Sequence, residues 1–154
     1  VGIMGPETGS LDKKRWTAML PAKGSVDYIS GSCMAIHRNV IKKICGFYEP
    51  YFMYYEDVDI CMRARKAGFP IKKMDMPGFV HKERSVLGKG SFYHEYYLAR
   101  NHLLFVERNA PAKVKIHELL RLPKTFYEHR RSGNTGAEAG VGDYMFRRFG
   151  RRNA

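Results

Sequence analysis

Apolar and polar positions alternate most regularly between residues 56 and 68. Ile60, Cys61, Ala64 and Ala67 recur at helical spacing, while Asp59, Arg63 and Lys66 share another face. Glu56, Asp57 and Asp59 open the run, where unpaired N–H groups and the positive end of the helix dipole favour carboxylates. Gly68 ends it, since the residue after a helix often needs positive φ. The pattern predicts a core-anchored helix whose acidic start projects from an aromatic loop, Phe52-Met-Tyr-Tyr55.

The same patterning predicts a short helix from Arg38 to Ile44, a long one from Ser91 to Arg108, and a basic one over 112–131. Pro123 is expected to kink or break the last of these. Strands are expected at 1–6, 26–37, 71–74 and 79–81, the last ending on His81. Gly31-Ser32 lies inside the second strand and marks either a kink or a close approach by ligand or backbone. Residues 7–24 are expected to form a loop with Trp16 as a packing residue. The Gly-rich, charged stretch 82–91 is expected to be a mobile loop, and the small, polar stretch 132–142 a linker or loop, followed by a basic-aromatic tail at 143–152.

Composition narrows the class. The 154 residues make one domain or part of one, with 44% hydrophobic and 13% aromatic positions, enough for a core. No apolar run approaches the ~20 residues of a membrane span. The opening Val1-Gly-Ile-Met-Gly-Pro6 lacks the basic leader and apolar run of a signal peptide. It resembles the end of a strand already under way, so the chain is expected to begin inside a longer protein. Cys33, Cys45 and Cys61 show no C-x-x-C spacing and are expected to be reduced, buried thiols in the cytosol. The net charge is +12, and eleven Lys/Arg against four Asp/Glu lie from Arg108 onward. Such a segment attracts anions: lipid headgroups, nucleic acid or diphosphates.

Several motifs then fall into a recognisable order. They are Gly31-Ser32, Ile44-Cys-Gly46-Phe47, Phe52-x-Tyr-Tyr-Glu-Asp-Val-Asp-Ile-Cys-x-Arg63, Gly68-Phe69, Pro77, Val80-His81-Lys82, and Tyr96-Tyr97-x-x-Arg100-Asn101. With the tail Gly140-Val-Gly-Asp-Tyr-x-x-x-Arg148-Phe-Gly150, this order resembles the C-terminal half of family 2 glycosyltransferases, in the rhamnosyltransferase-like branch.

The resemblance implies an α/β chain, a partial GT-A fold with a mixed sheet, flanking helices and a helical C-terminal extension. Residues 1–108 would be the acceptor-side half of the catalytic domain, and 109–154 the basic extension. It implies an inverting transfer from a nucleotide-diphospho-sugar to a hydroxyl of a polysaccharide or lipid-linked acceptor. Asp57 would be the general base, with Glu56 beside it contacting the acceptor and Tyr54 and Tyr55 walling the cleft. An alcohol becomes a good nucleophile as its proton is removed, and such help contributes ~10²–10⁴-fold. On residue types alone, these acids serve equally as helix caps. Asp59 is expected to pair with Arg63 or cap the helix.

Asp57-Val-Asp59 also spells D-x-D, the family's metal-binding pattern, but it opens a helix here instead of ending an apolar strand. The metal-binding D-x-D is therefore expected upstream of Val1, and with it most ligands of a divalent cation, Mn²⁺ or Mg²⁺. The chain alone is expected to be inactive. His81 either completes that metal shell or bonds to backbone. Lys82 and Arg84 either neutralise the leaving diphosphate or remain solvated loop charges. Gly31 and Ser32 line the cleft or only kink the strand. Arg100 and Asn101 fix the loop or the acceptor, or pack inside the domain with Arg100 on a carboxylate.

Lipid-linked acceptors would place the protein in the cytoplasm, at the inner membrane face. There the basic tail either meets anionic lipid, with Phe146 and Phe149 entering the interface, or stays solvated. The alternative is a basic, non-enzymatic module for nucleic acid or anionic membrane. The arginines form no recognisable nucleic-acid motif, so no nucleic-acid partner is expected.

Overall fold

The structure is a computed structural model that describes residues 1–81, 88 and 90–152. The chain is mixed α/β and divides into two compact units. The first comprises Val1–Lys13, Thr17–Tyr48 and Glu56–Lys82; the second comprises Lys14–Trp16, Glu49–Tyr55 and Glu83–Ala154.

The first unit carries two small sheets. Strand β1 (Ile3–Gly5) is central in one, antiparallel to β5 (Ala35–Ile36) and parallel to β6 (Ile71–Lys73). In the other, β2 (Thr8–Leu11) pairs antiparallel with β3 (Ala18–Met19) and β4 (Tyr28–Ile29). Residues 7–24 are thus not a plain loop. Their strands are two to four residues long, and β2 is mostly Thr, Gly and Ser, so there is too little apolar alternation to register in the sequence. The strand expected over 26–37 is split: Gly31 and Ser32 sit in a turn between β4 and β5. No strand forms at 79–81.

Helix α1 (Arg38–Ile44) ends where Cys45 adopts a left-handed conformation, φ 58°. Cys45 is exposed, against the expectation that every thiol is buried. Helix α2 (Glu56–Lys66) ends as its pattern predicts, with Gly68 at φ 85°. Ile60, Cys61 and Ala64 are fully buried together with Ile3, Ile29 and Val40. The Cys61 Sγ lies 3.4 Å from the Ile29 amide, and burial pushes the thiol up to about 12, so it behaves as an inert core residue. Asp59 is buried too, and accepts from Arg63 Nε at 2.6 Å. The Arg63 guanidinium then donates to the Ile44 and Gly46 carbonyls at 2.7 Å each, satisfying the free C=O groups after α1. Asp59 is therefore structural, as its spacing from Arg63 suggests.

The second unit is helical. Helix α3 (Phe92–Asn109) starts on a Ser91 cap, α4 (Ala112–Arg131) runs through Pro123 without ending, and α5 (Thr135–Met145) occupies the stretch expected to be a linker. Glycine disfavours helices, but here Gly136 and Gly140 face α3 directly. A Cβ on either would collide with the Phe92 or the Tyr96 carbonyl oxygen. Close packing of two backbones outweighs propensity, and local sequence does not show that. Trp16 packs its ring 6.0 Å from Phe105, as a packing residue should.

Candidate functional site

In the first unit, the acidic start of α2 meets the turn after β4. Asp57 Oδ2 accepts from the Gly31 amide at 2.9 Å, and Oδ1 accepts from its own neighbour, the Val58 amide, at 2.8 Å. The carboxylate thus caps its helix and anchors the Gly31-Ser32 turn at once. A Cβ on Gly31 would still find ordinary contact distances to Asp57, so glycine is not forced there by space. Burial holds the Asp57 carboxyl above the usual range, opposed by these two amides and reinforced by the charge of Glu7. Glu56 is raised as well: burial and then the Asp57 charge push it up to about 7. Its Oε2 is buried with no hydrogen-bond partner among the described residues. A buried acceptor without a donor is costly, and a ligand hydroxyl is the kind of group that would satisfy it.

Glu7 completes the cluster and was not singled out by its sequence. Its Oε2 accepts from Ser32 Oγ at 2.7 Å and lies 3.0 Å from His81 Nδ1. Burial pushes the Glu7 carboxyl up, but bonds from Ser32, Ser30 and His81 outweigh it, so its pKa is lowered. The unit therefore carries two kinds of carboxylate: Glu7 held ionised, Glu56 and Asp57 with raised proton affinity. Glu7 follows a Gly-Pro turn in a polar stretch, and no motif or periodicity marks it. The fold gathers Glu56, Asp57, Gly31, Ser32 and His81 in this one unit. His81 reaches it from a segment outside any strand, with a carboxylate as its partner and not backbone. Lys82 and Arg84 lie outside the described residues.

A metal site needs more ligands than this. Among the described residues no group of three His, Cys, Asp or Glu side chains could hold an ion. His81 and Glu7 are a pair, enough to contribute to a shell but not to form one.

The remaining predicted residues belong to the second unit and have structural work there. Tyr55 is buried, its ring 5.4 Å from Phe105 and 5.8 Å from His102, which makes it a core residue instead of a cleft wall. Tyr54 is half-buried, edge-on to His94. Phe52, Tyr54 and Tyr55 all have positive φ, 62°, 63° and 71°, a conformation costly for bulky residues.

Arg100 and Asn101 hold this loop. Asn101 Nδ2 donates to the carbonyls of Tyr51, Met53 and Tyr54 at 2.9, 2.6 and 3.0 Å. Arg100, 1% exposed, donates to the carbonyls of Pro50, Tyr51 and Gly150 and to the Tyr96 hydroxyl. Its partners are carbonyls and a hydroxyl, not the carboxylate expected. Buried to this extent, neither residue is placed to touch a substrate; both fix backbone. Phe149, expected at a membrane surface, packs its ring 4.9 Å from the Arg147 guanidinium and 6.0 Å from that of Arg100.

No family model matches the chain, and no solved structure matches it. Local likenesses to curated proteins exist. The chain is 45% identical over 49 residues to the N-acetylglucosaminyl-diphospho-decaprenol L-rhamnosyltransferase of Mycobacterium tuberculosis, covering 32% of this chain and 16% of that protein. It is 36% identical over 58 residues to a low-salt glycan biosynthesis hexosyltransferase of Haloferax volcanii, covering 38% and 19%. It is 34% identical over 89 residues to the rhamnosyltransferase WbbL of Escherichia coli, covering 51% and 33%. The matches span about a sixth to a third of the length of these relatives. Over a third to a half of its own length, then, the chain is similar to glycosyltransferases.

Proposed function

We propose that this chain is the acceptor-side part of an inverting, family 2 glycosyltransferase of the GT-A type, with Asp57 as the general base. The observation that carries the proposal is the start of α2. Asp57 is oriented by two amides and its proton affinity is raised, beside a buried Glu56 oxygen that lacks a donor. A raised carboxylate is a better base near neutrality than an ordinary one. In the reaction, the acceptor oxygen bonds to the anomeric carbon from the face opposite the leaving group. Its proton passes to Asp57, and the bond to the nucleoside diphosphate breaks with its electron pair. Glu56 accepts from an acceptor hydroxyl, and the Gly31-Ser32 turn shapes the approach.

Donor, acceptor and metal follow the same reading. The donor is a nucleotide-diphospho-sugar, and the acceptor a glycan or lipid-linked glycan at the cytoplasmic membrane face. A divalent cation, Mn²⁺ or Mg²⁺, would neutralise charge on the leaving diphosphate. His81 would supply one ligand to it, with the rest from outside the described residues. The charge of +12 favours a second reading, a basic module that binds polyanions without chemistry.

One assay separates them. The whole gene product containing this chain is given nucleotide-diphospho-sugars with and without glycan or lipid-linked acceptors. Acceptor-dependent release of nucleoside diphosphate is expected. No release across the panel, together with salt-sensitive DNA binding, favours the second reading.

A further inference from the structure

Helix α4 has two unlike faces. Glu118, Leu122 and Thr125 are buried, whereas Ile116, Leu119, Leu120 and Tyr127 are 57%, 63%, 76% and 63% exposed. Ile116, Leu120, exposed Pro123 and Tyr127 follow one another at intervals of four, three and four residues, a single apolar stripe. Exposed cations border it: Lys113, Lys124 and Arg131 along one edge, and Arg130 near its end. The helix carries six Lys/Arg and two Glu, of which Glu118 is buried on Arg15 and Glu128 lies within 3.8 Å of Lys124. No described helix is long and apolar enough to cross a membrane.

We infer that α4 lies flat on an anionic lipid surface, with the Ile116-Leu120-Tyr127 stripe among the acyl chains and the flanking cations at the headgroups. Apolar side chains between cations match the chemistry of such a surface. A second copy of the chain fits less well, because pairing two such stripes would set cation against cation. The inference places the contact on α4, not on the tail, where Phe149 is already packed. It deepens the proposed function and rests on its lipid-linked acceptor for its purpose.

The test uses the whole chain with vesicles and neither donor nor acceptor, so its outcome is independent of transfer. Vesicles of phosphatidylcholine mixed with phosphatidylglycerol should bind the chain at least ~10-fold more tightly than phosphatidylcholine alone, and salt should weaken that binding. Leu120→Glu with Ile116→Glu should abolish it, circular dichroism remaining unchanged because both positions are exposed. Phe146→Ala should leave it intact. Tyr127→Trp should shift its emission to the blue on the anionic vesicles. Binding that survives the double substitution overturns the inference. So does a lipid-free dimer that the double substitution dissociates, since a second copy would then cover the stripe.

Discussion

Asn101 serves three backbone carbonyls with one amide, in a loop where three bulky residues hold positive φ. Asn101→Ala would remove its bonds to the Met53 and Tyr54 carbonyls in a strained segment, while Tyr51 keeps Arg100. A loss of about 2–3 kcal/mol in denaturant unfolding is expected, with new proteolytic cleavage near residues 51–55. Glu56 gives a pH signature. Its pKa rises from an ordinary 4.5 to about 7 on folding, so the native state binds the proton more tightly. Its contribution to stability is fully present below the unfolded value and is lost as pH rises through the folded one. Glu56→Gln cannot ionise, so relative to the parent it should gain on the order of 1–3 kcal/mol between about pH 4 and about pH 8. A flat difference across that range contradicts the assignment. Asp57 and Glu56 were legible because acids at a helix start leave a pattern; Glu7 was not, because its role comes from distant partners at positions 32 and 81.

Elements repeat that lesson on a larger scale. Helices α1, α2 and α3 could be located from periodicity and caps, since a chain's own spacing decides which face is apolar. Helix α5 could not, because its glycines are explained only by the backbone of α3. Gly140→Ala would drive a methyl group into the Tyr96 carbonyl, despite alanine's better helix propensity. We expect it to destabilise the second unit by about 2–3 kcal/mol, whereas Gly142→Ala, with open space around it, should be neutral or stabilising. Thermal unfolding of the two variants side by side checks this. Strands β2 and β3 were hidden for a related reason: their partners lie across a turn, and at four and two residues they are too short to show alternation.

Along the whole molecule, the excess of positive charge and the carboxylate cluster fall in different stretches of the chain. Cations concentrate from Arg108 onward, while Glu7, Glu56 and Asp57 gather in the first unit. Asp57 and Glu7 have structural bonds that either kind of protein could use; the buried Glu56 oxygen without a donor is what favours the enzyme. The most direct measurement is sugar transfer by Asp57→Asn in the whole gene product, with donor affinity measured in parallel. The asparagine keeps the size, and its one oxygen can still accept from the Gly31 amide although the bond from the Val58 amide is given up; it cannot take a proton. Transfer should fall by at least ~10²-fold while donor binding and fold stay unchanged. Turnover equal to that of the parent would contradict the account.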